Sequence, residues 1–291
     1  MSQTFDKREG WIWMNGSFVP WEEATTHVIS QGLHYASSVF EGERAYGGKI
    51  FKSKEHTKRL FKSAKIIGMK VPFSEEEIIK AKDDLIKKMK KEDCYIRPVV
   101  WRGSEMMAVS AQTTKINVAI AVWEWPSYFD PEQKMQGIKL DIAKWKRPSP
   151  DCGPVHAKAS GLYMICTLSK HEAEAKGYSD ALMLDYRGQI AEATGANIFF
   201  KMPDGKLHTP LPDCFLDGIT RRVVINIAKN LGIQTVERKI MPEEMENAEE
   251  CFLTGTAAEV TPVQSIGDYK FTPGKLCLQL TEAYSKLVNR N

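Results

Sequence analysis

Residues 181–209 read ALMLDYRGQIAEATGANIFFKMPDGKLHT. Runs of strand-forming residues at 181–185, 189–193, 197–202 and 206–209 are separated by turn signals, Tyr186-Arg187-Gly188 and Pro203-Asp204-Gly205 among them. Spacers this short join antiparallel strands; a parallel crossover needs a dozen residues or more. The stretch predicts a run of antiparallel hairpins rather than βαβ units. With the helical periodicity on either side of it, the fold class is α+β.

Upstream, a helical pattern runs from Ser160 to about Lys176 and stops at Gly177, and 137–145 alternates as a strand. The polar, turn-rich PSYFDPEQKMQ at 126–136 marks a passage between domains. The division is a small N-terminal α+β domain at 1–127, a linker at 128–136 and a larger C-terminal domain at 137–291. In the first domain Asn15-Gly16 signals a hairpin, and two strands meet at Gly47-Gly48. Ser53 is placed to cap a helix running to about Ile67, with Leu60, Ala64 and Ile67 on one face and Gly68 as its stop. Ser74 and Glu77 form a capping box, Phe73 and Ile78 a hydrophobic staple. Strands follow at 95–101 and 115–123. Downstream, helix 219–231 buries Val224, Ile227, Ala228 and Leu231, and a strand at 251–254 enters TGTAAE. Thr272 caps the last helix, with Pro273 at its first position.

The chain has 291 residues, 26% of them charged, with a formal net charge of +3. That balance gives no reason to expect nucleic acid or an anionic membrane as partner. Its six cysteines form no C-x-x-C pair, which argues against a zinc site or a disulfide framework. The opening MSQTFDKREG lacks the apolar core of a signal peptide, so the expectation is a cytoplasmic protein without a resident metal.

Lys158 stands in GPVHAKASGLY (153–163), flanked by small residues and approached through Pro154. Taken singly, a lysine, a strand carboxylate, a helical arginine and a glycine cap are ordinary surface features. Spacing alone does not assemble them; the resemblance of the segments around them to a known family does, and as that set they meet the needs of a pyridoxal phosphate site. The cofactor aldehyde needs an amine that is unprotonated when it attacks, and Lys158 is the candidate. The ring nitrogen needs a carboxylate, for which Glu192 is placed. The phosphate needs an arginine and a helix N-terminus, and Arg59 with Gly218-Ile219-Thr220 offers both.

The chain resembles the class IV aminotransferases of pyridoxal phosphate fold type IV, and the branched-chain amino acid aminotransferases in particular. The resemblance runs from Trp11 to about Pro262. It rests on LHYASSVFEG (33–42), HTKRL (56–60), YIRP (95–98), AKASG (157–161), EATGANIF (192–199), GITR (218–221) and TGTAAEVTPV (254–263). The FEG and YIRP segments separate it from D-amino acid aminotransferases and aminodeoxychorismate lyases, the alternatives on this fold. It implies two domains, a small N-terminal α/β sandwich and a larger domain with a pseudo-barrel of mainly antiparallel strands.

It further implies reversible ping-pong transfer of an amino group between L-leucine, L-isoleucine or L-valine and 2-oxoglutarate through pyridoxal 5'-phosphate. Lys158 would be the catalytic amine, Glu192 the partner of the ring nitrogen and Tyr163 that of the phenolic oxygen. Arg59, Gly218, Ile219, Thr220 and Thr256 would bind phosphate. Tyr95 and the backbone N–H groups of Thr256 and Ala257 or Ala258 would take the α-carboxylate, while Phe40, Trp125, Tyr163, Tyr35 and Val109 wall the side-chain pocket. Arg97, Tyr35 and Tyr128 would meet the distal carboxylate of glutamate. In the family, Tyr35 and Val109 come from the neighbouring subunit, so a homodimer or a larger homo-oligomer such as a hexamer is implied. Two departures stand out: Ala196 where an acidic residue is common, and Glu43 where an apolar one is.

Overall fold

The computed structural model describes residues 4–125 and 136–289. By contacts the chain divides into two compact units, 1–126 with 157–161, and 127–156 with 162–290. The segment holding Lys158 thus belongs to the first unit, although it lies thirty residues beyond 126–127 in sequence.

In the first unit, β1 (Trp11–Met14) and β2 (Ser17–Pro20) form the expected hairpin, with Asn15 and Gly16 both at positive φ as a type I′ turn requires. β3 (Ser38–Phe40), β4 (Glu43–Tyr46), β5 (Lys49–Ile50), β6 (Cys94–Arg102) and β7 (Ile116–Trp123) complete an antiparallel sheet in the order β2-β1-β7-β6-β4-β5, with β3 also on β6. β3 pairs with residues 99–101 and β4 with 94–96, so the partner of β6 breaks at Glu41-Gly42, opposite Arg97-Pro98. Proline has no N–H for a ladder bond, so the break falls where one is missing. After the short α1 (Gln31–Tyr35), helices α2 (Ser53–Ile66) and α3 (Glu75–Met89) follow. Leu60, Ala64, Ile78 and Leu85 pack with Val39, Ile96, Val100, Val118, Ile120 and Val122 into one core. The capping box at Ser74 and Glu77 forms in both directions. Ser53 is helical rather than capping; Lys52 holds the N-cap in the left-handed region.

In the second unit, β8 (Ile138–Ile142) ends three residues short of the expected 145. A 3-10 turn at Ser160–Tyr163 precedes α4 (Met164–Ala175). β9 (Asp180–Leu184) with β10 (Ile190–Ala193), and β11 (Asn197–Lys201) with β12 (Leu207–Pro210), are the expected hairpins. They do not pair with each other. The order is β10-β9-β8-β15-β14-β11-β12-β13, with β13 (Thr235–Arg238), β14 (Glu250–Gly255) and β15 (Glu259–Ile266), and β16 (Tyr269–Lys270) on β15. Two βαβ units flank the hairpins, against expectation. β8 lies parallel to β9 across α4, and β12 parallel to β13 across α5 (Ile219–Asn230). Antiparallel pairs still predominate. Val224, Ile227 and Ala228 of α5 are buried, whereas Leu231 is exposed past the helix end, where Gly232 turns the chain.

The final helix, α6 (Lys275–Val288), starts later than Thr272-Pro273 suggested, with Gly274 as N-cap. Its first-turn amides at Leu276 and Cys277 donate to the buried Glu250 carboxylate of β14, at 3.3 and 2.8 Å. A carboxylate from a neighbouring strand does the capping that the local threonine was expected to do. Among the described residues no helix is long and apolar enough to cross a membrane.

Candidate active site

Side chains two apart on a strand share a face, so β6 presents Tyr95 and Arg97 together. Arg97 Nη2 donates to Tyr95 Oη at 3.1 Å, and its guanidinium lies 4.8 Å from the ring centre of Phe40. The Trp125 ring is 5.1 Å from that of Tyr95. Gly42 is required here: a Cβ at that position would overlap the Tyr95 hydroxyl and come within 2.8 Å of Cζ.

Lys158 is half-buried against the same strand break. Its N–H donates to Ser63 Oγ at 3.0 Å, its carbonyl accepts from Phe40 N–H at 3.1 Å, and its Nζ stands 4.9 Å from the Phe40 ring centre. Burial, then the Arg59 guanidinium, pushes the amine down to about 8, with Glu41 acting in opposition. The amine therefore gives up its proton more readily than an ordinary lysine, as a nucleophile or base requires.

Arg59, on α2, places Nε 2.6 Å from Glu41 Oε1 and Nη2 2.8 Å from Oε2, while His56 Nδ1 stands 2.7 Å from Oε2. Burial alone would raise the Glu41 carboxyl; Arg59 and His56 hold it well below the usual carboxylate range. Beside it, Glu43 is fully buried against Lys82, with Nζ–O distances of 2.9 and 2.7 Å. Lys82 also donates to Thr57 Oγ1 at 2.8 Å. The Glu43 departure from the family pattern is thus a paired buried charge.

In the second unit a register shift on β10, between Ile190 and Glu192, re-aims the Glu192 side chain. Its Oε1 lies 3.4 Å from Arg147 Nε, and its Oε2 accepts from Asn197 Nδ2 at 3.2 Å. Asn197 Oδ1 in turn accepts from the Gly218 N–H at 3.1 Å, tying the carboxylate to the start of α5. A Cβ on Gly218 would overlap that oxygen. Gly218 caps α5 without a side-chain bond, so the first turn at Ile219 and Thr220 offers amide donors to an anion. Thr256, Ala257 and Ala258 form the turn between β14 and β15, which closes on Glu259 at φ +54°. Ala258 O accepts from Thr261 Oγ1 at 2.6 Å, which holds the turn.

Residues 38–266 match the family described as amino-transferase class IV. The chain is 47% identical to a probable branched-chain-amino-acid aminotransferase of Rickettsia bellii, over 99% of both chains. It is 40% identical to the branched-chain-amino-acid aminotransferase of Pseudomonas aeruginosa, over 97% of this chain and 94% of that one. The solved structure of the T.th. branched-chain amino acid aminotransferase with pyridoxamine 5'-phosphate aligns at a TM-score of 0.94 and 40% identity, over 97% and 95% of the two chains. The chain belongs to the class IV aminotransferases.

In this class IV aminotransferase the first unit brings Lys158, Arg59, Phe40, Tyr95, Arg97 and Trp125 close around the strand break. The second unit groups Glu192 with the start of α5. Tyr163, at the end of the 3-10 turn, lies within electrostatic reach of Arg147. Tyr35 and Val109 stand exposed, Val109 at 83%, as residues offered outward from the chain. Tyr128 lies outside the described residues. Sequence reasoning passed over Glu41, His56, Arg147 and Asn197. Glu41 sits inside the quoted FEG segment, and Asn197 inside EATGANIF, each within reach of a residue already singled out. Nothing in KWKRPSP (144–150) marks Arg147 as buried.

Proposed function

We propose that this class IV aminotransferase is a branched-chain-amino-acid aminotransferase, moving an amino group reversibly between L-leucine, L-isoleucine or L-valine and 2-oxoglutarate with pyridoxal 5'-phosphate. The observation that carries the reading is the Tyr95–Arg97 pair set among the rings of Phe40, Trp123 and Trp125. Apolar ring faces suit an aliphatic side chain, and a guanidinium beside a phenol suits the distal carboxylate of glutamate. One pocket of this chemistry serves both half-reactions.

The residues fit the cofactor on the chemistry of their donors. The Lys158 amine is lowered to about 8, Glu192 is a carboxylate for a ring nitrogen, and α5 opens on amides without a side-chain cap. When bound, the cofactor would supply an aldehyde to carry the amino group and a ring to delocalise the electron pair left at the substrate Cα. Lys158 would hold the cofactor through Nζ, and the same atom would take and return the substrate Cα proton. Glu192 keeps a proton at the ring nitrogen, and Tyr163 donates to the phenolic oxygen. Arg59, Gly218, Ile219, Thr220 and Thr256 bind the phosphate. Tyr95 Oη and the amides of Ala257 and Ala258 hold the α-carboxylate. Phe40, Trp125, Tyr35 and Val109 exclude water from the aliphatic side chain, and Arg97 with Tyr35 and Tyr128 receives the distal carboxylate.

Tyr35 and Val109 act from the neighbouring subunit of a homodimer or a larger assembly such as a hexamer. Their exposure on the single chain supports this. Five buried free thiols among the six cysteines support work in a reducing compartment, the cytoplasm.

The test is the absorption spectrum of the purified holoenzyme. L-leucine alone shifts the near-visible band, and 2-oxoglutarate restores it. A band that answers D-amino acids instead makes the protein a D-amino acid aminotransferase. Pyruvate released from aminodeoxychorismate without an amino acceptor makes it a lyase. No band after incubation with pyridoxal 5'-phosphate overturns the reading.

A further inference from the structure

Arg147 is buried in the second unit, its side chain 5% exposed, and nothing in the roles above uses it. Its backbone is stitched to the end of β9, with its N–H on Leu184 O at 2.8 Å and a bridge to Asp185. Its Nη1 lies 3.4 Å from Leu162 O and 3.4 Å from Cys166 Sγ, its Nε 3.4 Å from Glu192 Oε1. The Tyr163 phenol also lies within its electrostatic reach. One buried cation therefore stands behind both groups assigned to the polar atoms of the cofactor ring. A buried arginine is a poor stabilising device, because apolar packing of the same volume serves as well or better.

We propose that Arg147 is a positioning residue: its guanidinium fixes the Glu192 carboxylate and makes it a weak base, so that the proton shared with the cofactor ring nitrogen stays on the nitrogen. The inference rests on the role of Glu192 given above. The two carboxylate oxygens face different partners: Oε1 pairs with the Arg147 guanidinium by charge, 3.4 Å from an Nε that makes no hydrogen bond, and Oε2 accepts from Asn197 Nδ2 at 3.2 Å. A carboxylate and a pyridinium alone in a site of low polarity gain by passing the proton between them and becoming neutral. A third group carrying fixed positive charge reverses that preference, since it favours the ionised carboxylate. An opposite charge at such a distance changes the proton affinity of a carboxylate by about 10- to 1000-fold.

The experiment is nitrogen NMR of holoenzyme reconstituted with pyridoxal 5'-phosphate labelled at the ring nitrogen, on the parent protein, Arg147→Met, Arg147→Lys and Glu192→Gln. The parent gives a pyridinium signal. Arg147→Met moves it toward neutral pyridine, reflecting at least a tenfold change in proton partition, and Arg147→Lys returns it toward the parent position. A purely structural role for Arg147 leaves the signal in place once circular dichroism shows the variant folded. If Glu192→Gln moves the signal and Arg147→Met does not, the inference is overturned while the role of Glu192 stands. If neither moves it, the role of Glu192 falls and the inference with it. Should Arg147→Met fail to fold, Arg147→Gln, which keeps a donor for Leu162 O without the charge, is read in the same way.

Discussion

Lys82→Met tests whether the buried pair beside the lysine pocket carries the energy its geometry implies. Lys82 Nζ gives hydrogen bonds to both oxygens of Glu43 and to Thr57 Oγ1, and it approaches Ser53 O at 3.3 Å. Neither side chain has more than 1% exposure. Burial is the main influence raising the Glu43 carboxyl, and Lys82 is the main one opposing it. Removing one partner strands the other charge away from water, at a cost of about 3–5 kcal/mol. Removing both, in Glu43→Leu with Lys82→Met, returns stability to within about 1 kcal/mol of the parent or above it. The assay is urea unfolding followed by tryptophan fluorescence. Six of the seven tryptophans lie at or before Trp125, so the signal reports mainly on the first unit. A Lys82→Met protein that loses less than about 1 kcal/mol would refute the reasoning, because the ion pair would then be accessible to water.

Arg59→Met removes the cation that most depresses Lys158 and exposes the amine to Glu41, so the amine titrates higher than about 8; competitive amine labelling of the cofactor-free protein across pH, read by mass spectrometry, reports the midpoint. Arg97→Leu lowers kcat/KM for glutamate and 2-oxoglutarate about 100-fold while leucine falls by less than about tenfold, since a charged hydrogen-bonded carboxylate loses more than an aliphatic chain; equal losses in steady-state assays contradict dual recognition. Gly42→Ala forces Tyr95 away from the strand break, so KM for amino acids rises while cofactor affinity, read by equilibrium titration, stays unchanged. Glu250→Ala uncaps α6 and costs about 1–2 kcal/mol, with loss of hydrogen-exchange protection at Leu276 and Cys277.

The parts legible in the sequence are those whose cause is local. Asn15-Gly16 and Ser74 with Glu77 specify a turn and a cap through their own backbone and side chains, and both form as read. The hairpins within 181–209 form too, but their place in the sheet depends on strands far along the chain. β10 sits at one end and β11 beside β14, which no spacing reveals. The same limit explains α6: Thr272 and Pro273 were the local candidates, and a carboxylate 26 residues before Leu276 took the role. In the site, Lys158, Glu192 and Arg59 are legible through the family resemblance of the segments around them, not through residue type or spacing alone. Glu41 and Arg147 escaped because their meaning lies in burial and pairing, properties that belong to the folded chain rather than to its spacing.

The discontinuity of the first unit bears on the order of synthesis. Its sheet is nearly complete once residue 125 has been made, yet the Phe40 N–H and the Ser63 hydroxyl meet their partners on Lys158 only when the chain has grown some thirty residues further. Val39, in the middle of β3, likewise waits for its bridge to Ala159. The Lys158 segment is therefore among the last pieces fitted to the unit, so a nascent chain carries no finished lysine surroundings while its N-terminal strands are still assembling.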